Sequence, residues 1–255
     1  MFFILLLAFI LGGAIGSFLN VVIDRATRGE SILGRSYCDH CKATLSTLDL
    51  IPVVSFVTLG AKCRYCRKPL SWQYPAVEAL CALLFTVSAY VLVSDGNFNL
   101  VNLFYYFLIV SVSIIVAVVD YKFSLIPTTI VFFASLAALI YDFLLLSPTQ
   151  FLNHVLSAFF AAFAFLILVV VTRRRGMGEG DVVLAFLMGM ILGPEKTVLA
   201  VFTAFFSGAV VSLLLIAFGK KRFGQTVPFA PFLIFGLLTA LFWGDSIVAT
   251  YLMLY

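Results

Sequence analysis

Charge is what this chain of 255 residues has least of: only 11% are Asp, Glu, Lys or Arg, and there are two histidines. A soluble domain covers its surface with about 25% charged residues, so a water-soluble globule is excluded. Five cysteines are too few for a disulfide scaffold. The balance of 16 basic against 12 acidic residues gives +4. The basic residues, however, fall in groups between apolar runs, a pattern of membrane topology that leaves no nucleic-acid partner to expect. What the chain does have is 63% hydrophobic residues and a mean hydropathy of +1.15. It is read as a membrane protein whose surroundings are the lipid bilayer.

A helix needs about 20 apolar residues to cross about 30 Å of hydrocarbon. Eight charge-poor runs qualify: 2–23, 75–94, 100–119, 127–146, 151–172, 182–193, 197–219 and 227–254. The sixth is short, so it is expected to begin before Val182 or to lie tilted among partners. The first has no basic residue before it and no small-residue cleavage site after it, and is read as a retained span. Eight Lys and Arg lie within 25–68, three at 173–175, three at 220–222, and Lys122 follows the third run. If the spans alternate and the 25–68 loop is cytoplasmic, all four groups fall on the cytoplasmic side and only Lys196 lies outside. The expected fold is all-α and polytopic, with about eight transmembrane helices. Its parts are a first helix at 1–23, a cytoplasmic loop domain at 24–74, and a seven-helix membrane domain at 75–255.

In that loop, Cys38-Asp-His-Cys41 and Cys63-Arg-Tyr-Cys66 place two thiol pairs 21 residues apart, the spacing of a zinc ribbon. A reducing cytoplasm keeps thiols free for metal. Four thiolates close a tetrahedral site, so structural zinc is expected, tying a loop that has little core of its own. His40 is read as a solvated knuckle residue, and Cys81, inside the second run, as a packing residue.

Ionisable groups at membrane depth are candidates for function. Asp120 ends the third run and Asp181 opens the sixth, so alternation puts both on one face. Two carboxylates sharing a proton around a water is aspartic-protease chemistry. Asp120 lies at a helix C-terminus, where negative charge is disfavoured, and Asp181 at an N-terminus, which makes Asp120 the expected holder of that proton. Asp181 is preferred to its neighbour Glu179. Gly176, Gly178 and Gly180 do not have the spacing of a nucleotide loop; Gly178 and Gly180 are expected to let an extended peptide approach the backbone beside Asp181. Glu78 is expected to salt-bridge the cysteine loop or contact a substrate amine. His154, far from both aspartates, is read as packing or interfacial hydrogen bonding.

Taken in order, these residues resemble the type IV prepilin peptidases, polytopic inner-membrane aspartic proteases of bacteria. The matching pieces are Gly16-Ser-Phe-Leu-Asn20-Val-Val-Ile-Asp-Arg25, the paired C-x-x-C loop, Tyr74-Pro-Ala-Val-Glu78, Asp120 followed by Ile126-Pro127, Gly178-Glu-Gly-Asp181 and Pro228-Phe-Ala-Pro-Phe232. The resemblance covers nearly the whole chain. It implies an endopeptidase that removes a short basic leader from prepilins and prepilin-like pseudopilins, after glycine and on the cytoplasmic side, with Asp120 and Asp181 as the catalytic pair. It also implies N-methylation of the new terminus with S-adenosylmethionine as donor. Two positions depart from the family pattern: Ala61 precedes Lys62 where glycine is common, at a spot linked to methylation, and Ala230 stands where glycine is usual.

No Rossmann-type fingerprint is present to hold a methyl donor, so such a site would be assembled from the loop and the span ends, with Lys62, Glu78 and Asn20 as candidate contacts. Other readings are a peptidase without methyl transfer, an ion-coupled transporter using Asp120 and Asp181, and a zinc-ribbon scaffold without chemistry. A transporter needs a site reachable from both faces, whereas these two acids share one.

Overall fold

The computed structural model describes residues 1–31, 33–173, 177–219 and 227–253. The basic positions 174, 175 and 220–222, and Gly176, lie outside the described residues. The chain forms two compact units, Met1–Ile115 and Val116–Tyr255. Among the described residues, seven helices are long and apolar enough to cross a bilayer.

The first unit holds α1 (Phe2–Arg28), a 3-10 turn (Thr47–Leu50), the short α2 (Val54–Thr58), α3 (Gln73–Ser94) and the start of α4 (Leu100–Phe123). In lipid there is no hydrophobic drive between helices, so close packing needs small residues. Gly12 and Gly16 supply them: a Cβ on either would stand 2.7 Å from Ala82 Cα or 2.8 Å from Glu78 Cα. The pairings 12 with 82, 16 with 78, and Asn20 Nδ2 donating to the Tyr74 carbonyl at 3.1 Å, make α1 and α3 antiparallel. Phe85 of α3 stacks on Phe107 of α4 at 3.9 Å. Cys81 is fully buried in α3 and faces Gly16, the packing role expected for it.

The second unit holds the end of α4, α5 (Thr128–Leu145), α6 (Pro148–Val171), α7 (Glu179–Ala217) and α8 (Ala230–Met253). Ser147 and Gln150 form a capping box at the start of α6, with Pro148 in its first turn. The 39-residue α7 is two helices broken at Gly193, which has φ 70° and is followed by Pro194. Side-chain pairings show that the chain reverses there. Along α6, His154, Ala158 and Phe159 meet Met190, Gly189 and Phe186, so the first arm is antiparallel to α6. Ser157 and Phe165 meet Thr197 and Phe205, so the second arm is parallel to it. The two arms are the sixth and seventh runs expected from hydropathy, and the sixth begins at Glu179, before Val182 as its shortness required. Gly208 against Phe232, and the Lys196–Asp245 ion pair at 2.6 Å, set α8 antiparallel to the second arm.

The reversal leaves a backbone debt. The Met190 carbonyl would normally accept from residue 194, but proline has no N–H. His154 Nδ1 fills the place at 2.9 Å and lies 3.0 Å from the buried Asp142 carboxylate. Both neighbours are acceptors, so Nδ1 carries the proton. His154 thus caps the first arm and joins α5, α6 and α7, a more specific role than packing. Removing one partner of a buried polar group costs roughly 1–3 kcal/mol. His154→Ala should therefore lower the thermal unfolding midpoint in detergent, and Asp142→Asn, which can still accept, should lower it less; equal midpoints for wild type and His154→Ala would refute the cap.

Candidate active site and metal centre

Both candidate aspartates fall in the second unit and are buried, Asp120 at 7% and Asp181 at 6% exposure. Asp181 sits in the first turn of α7, where its Oδ2 accepts the Gly178 N–H at 3.0 Å. Asp120, near the end of α4, accepts the N–H of Ala230, the first residue of α8, at 3.1 Å. The two carboxylates are within electrostatic reach of each other. Glu179 is exposed, which leaves Asp181 as the buried acid of this turn. A helix N-terminus meets Asp120 as well as Asp181, so the position of Asp120 at the end of α4 does not by itself decide which carboxyl holds the proton.

Ala230 bonds Asp120 through its backbone, which alanine supplies as well as glycine; this is why the departure at 230 leaves the site intact. Gly180 has a neighbour within the chain: a Cβ there would lie 2.8 Å from Ile126 Cβ, so the 126–127 segment already makes the close approach. A Cβ on Gly178 would meet Asp181 Oδ2 at 3.7 Å and the Gly180 N at 3.9 Å, both ordinary contacts.

In the first unit, the Sγ atoms of Cys38, Cys41, Cys63 and Cys66 lie within 4.8 Å of one another. The two halves of this cluster are built alike. Cys38 N–H bonds the Ala43 carbonyl and Lys42 N–H the Cys38 carbonyl; Cys63 and Lys68, then Arg67 and Cys63, repeat the pattern. Lys42 and Arg67, each following the second cysteine of its pair, take left-handed φ of 57° and 59°. Four thiols so placed fit one metal ion: a tetrahedral ion with bonds of about 2.3 Å separates its sulfurs by about 3.8 Å, and Cys38 and Cys66 are 3.9 Å apart. Burial works against the Cys63 thiolate, but the backbone N–H groups of Cys66 and Tyr65 and the neighbouring thiols outweigh it and bring its pKa down to about 7. The Lys68 N–H favours the Cys66 thiolate, yet desolvation and the other thiols push that group up to about 11. His40 is exposed and stands outside the cluster.

The remaining candidates separate. Glu78 reaches the cysteine loop by a hydrogen bond and not by the expected salt bridge: its Oε2 accepts the Val53 N–H at 2.7 Å and holds that β-branched residue at φ 61°. Asn20 joins α1 to the start of α3, while Lys62 is exposed and pairs through its backbone with Pro69. Ala61 has φ 58°. Sequence reasoning does not single out Asp142, although its place inside the fourth apolar run is the signal that picks out Asp120. It also does not find the Ala230 N–H, for which no sequence signal exists.

Fold and site together define a polytopic membrane protein with a buried carboxylate pair and a four-thiol loop. Residues 10–92 match the bacterial peptidase A24 N-terminal domain, and residues 107–213 the type IV leader peptidase family. The chain is 33% identical to a prepilin leader peptidase/N-methyltransferase of Bacillus subtilis (strain 168), with 96% of each chain covered. It is 28% identical to a protein of that name from Stutzerimonas stutzeri, over 97% of this chain and 93% of the other. For one from Legionella pneumophila the identity is 27%, over 94% and 91%. No solved structure matches. The chain belongs to the type IV leader peptidase family.

Asp49 is a structural anchor of the loop. Burial works against its carboxylate, but Arg64 at 2.6 Å and the N–H and hydroxyl of Ser46 outweigh it, so its pKa lies below the usual value. A group with a depressed folded pKa contributes stability that is complete above its unfolded value, about 4, and is lost as pH falls through the folded one. Asp49→Asn should cost roughly 1 kcal/mol at neutral pH, read as faster proteolysis of the 24–74 loop. The gap from wild type should close on acidification; a gap that widened toward acid would refute the assignment.

Proposed function

We propose that the chain is an aspartic endopeptidase that removes the basic leader of prepilins and pseudopilins at the cytoplasmic face of the bacterial inner membrane, and that it N-methylates the new terminus. The observation that carries the peptidase reading is the buried pair Asp120 and Asp181, each fixed by one backbone N–H. In a pair that shares one proton, the ionised carboxylate takes a proton from water as the water oxygen attacks the scissile carbonyl. The protonated carboxyl donates to the carbonyl oxygen. When the C–N bond breaks, the proton first taken from water passes to the departing amine, a hydroxyl of the gem-diol returns its proton to the other carboxylate as the carbonyl re-forms, and the pair is back in its starting state. Glycine at 178 leaves the backbone beside Asp181 open to an extended substrate strand.

Asp120→Asn and Asp181→Asn should each lower cleavage of a leader-bearing prepilin by at least about a hundredfold, measured by product mass in detergent. The wild-type rate against pH should be bell-shaped, because full protonation and full ionisation of the pair both disable it. Near-normal cleavage by both folded variants would refute the mechanism.

The four cysteines are proposed to hold zinc in a closed site of structural role. S-adenosylmethionine, when bound, supplies an electrophilic methyl group. Its acceptor would be the new terminal amine, and the 24–74 loop with the adjoining ends of α1 and α3 would hold it. The residues of this chain have to bind the donor and exclude water. Elemental analysis should find one zinc per chain, and paired substitution Cys38→Ser with Cys63→Ser should abolish it and reduce folded yield. Freshly purified protein without metal would overturn the zinc assignment.

The topology supports a common face for the second unit's active end. The ends at 120–127, 171–173, 177–181 and 229–230 lie together, while Lys196 and Asp245 lie at the opposite end of the helices. Lys122 and Arg173 belong to the first set, as the positive-inside rule asks of a cytoplasmic face.

A further inference from the structure

Between Asp49 and Lys62 the loop carries no charged residue. An apolar stretch of that length, about 12 residues, is too short to span and is either a core helix or a re-entrant segment. Exposure excludes the core helix. Ile51, Val54 and Val57 are 41%, 54% and 69% exposed, while Phe56 is buried. In water these side chains would form an apolar patch. The segment reaches far along the helices of the first unit. Gly12 and Gly16 of α1 face Ala82 and Glu78 of α3, and Gly13 between them takes Pro52: a Cβ there would stand 3.4 Å from Pro52 Cβ. That level is about two turns inside Gln73, where α3 begins, and about two turns inside Asn20 of α1. On the way back, Phe56 meets Trp72 edge to face at 5.0 Å, just before α3. The 3-10 turn leads in, Pro52 and Val53 form the tip, and α2 leads out.

At membrane depth a backbone N–H has no water to bond and must find an acceptor inside the chain. The tip meets that demand. Pro52 has no N–H, and Val53, bent to φ 61°, gives its own to Glu78 Oε2 at 2.7 Å. The N–H groups of Val54, Ser55, Val57 and Leu59 bond the carbonyls of Pro52, Ile51, Val53 and Ser55, and the Thr58 hydroxyl bonds the Val54 carbonyl. Polar backbone is satisfied within the chain while apolar side chains are left outside, the reverse of a loop that faces water. Leu80 and Leu83 of α3 are exposed at the same level, so the layer at this depth is hydrocarbon.

We propose that residues 50–57 are a re-entrant turn seated in the lipid bilayer, with Ile51 and Val54 against acyl chains, Val57 nearer the surface, and Glu78 as the acceptor that lets the chain reverse at that depth. Trp72 then stands at headgroup level, where an indole ring places its apolar body in lipid and its N–H toward water. Part of the 24–74 loop is thereby set in the membrane. The Phe56 carbonyl accepts the N–H of Ala61, two residues before Cys63, so the inserted turn holds the four-thiol cluster against the membrane surface. This anchoring does not rest on the chemistry of either proposed reaction.

Tryptophan fluorescence of the full chain, purified and reconstituted in vesicles of phosphatidylcholine and phosphatidylglycerol, tests this. The chain has two tryptophans, Trp72 and Trp243. Trp72→Phe and Trp243→Phe remove them, and Val54→Trp then reports on the turn. Its emission should fall by at least about half when the lipids carry bromine on their acyl chains, inside the about 30 Å hydrocarbon layer, and aqueous iodide should leave it unchanged. Lys68→Trp in the same background, outside the turn, is the water-facing control. Ile51→Trp gives the same reading should Val54→Trp fail to fold, as judged by gel filtration in detergent. Quenching by iodide and not by brominated lipid would overturn the proposal and make the turn a water-facing patch. Emission reached by neither quencher would overturn it in favour of a protein cover, and a dependence of that shielding on the protein-to-lipid ratio would identify the cover as a second copy of the chain.

Discussion

A polar group carried into an apolar bundle has to find its partner within the chain, because the surroundings offer no water to replace one. In the second unit that demand fixes the site. Helix N-termini carry N–H groups with no helical acceptor, and carboxylates need donors. The start of α8 meets Asp120 and the turn before α7 meets Asp181, so each deficiency cancels another. The two carboxylates proposed as catalytic are held by backbone that the fold must satisfy in any case, which leaves them little side-chain freedom. The same demand operates at the opposite end, where Pro194 strips the Met190 carbonyl of its donor and His154 replaces it.

What could be read from the sequence followed from constraints that act along the chain. Hydrocarbon thickness sets the length of a span, so the apolar runs were legible, including the short arm that ends at Gly193. Metal ligation sets the spacing of thiols, so the cluster of Cys38, Cys41, Cys63 and Cys66 was legible too. What stayed hidden depends on contacts between distant residues. Asp120 and Ala230 are 110 positions apart, and one backbone N–H there offsets the charge preference read from the end of α4. Gly180 was read as room for an extended peptide, whereas in the packed chain it is Ile126 that comes close to it.

The four thiols and the buried carboxylate pair belong to different units. The hydrogen bond from Val53 to Glu78 lies with the thiols in the first. The loop between α1 and α3 has few buried side chains of its own; among its described residues, Phe56 is the one buried large apolar residue beside Cys38 and Cys63. Such a segment is ordered by tethers instead of a core: the metal-ligand cluster, the Arg25 guanidinium on three carbonyls, Asp49 on Ser46 and Arg64, and Glu78 reaching out of the helix. A loop held by tethers can carry polar and charged groups that a packed core would exclude.

This view changes the meaning of Ala61. The family pattern places glycine there, and the spot is linked to methyl transfer, so an alanine suggests a lost cofactor contact. The backbone offers a different account. At φ 58° the residue occupies the left-handed region, which costs an L-amino acid about 1 kcal/mol and glycine almost nothing. Its N–H is bound to the Phe56 carbonyl and its own carbonyl to the Leu70 N–H, so the conformation is imposed from both sides. Glycine at this position relieves strain next to the third thiol. The alanine therefore taxes the fold of the loop by a small amount, and the family's glycine is accounted for by backbone conformation without a cofactor contact.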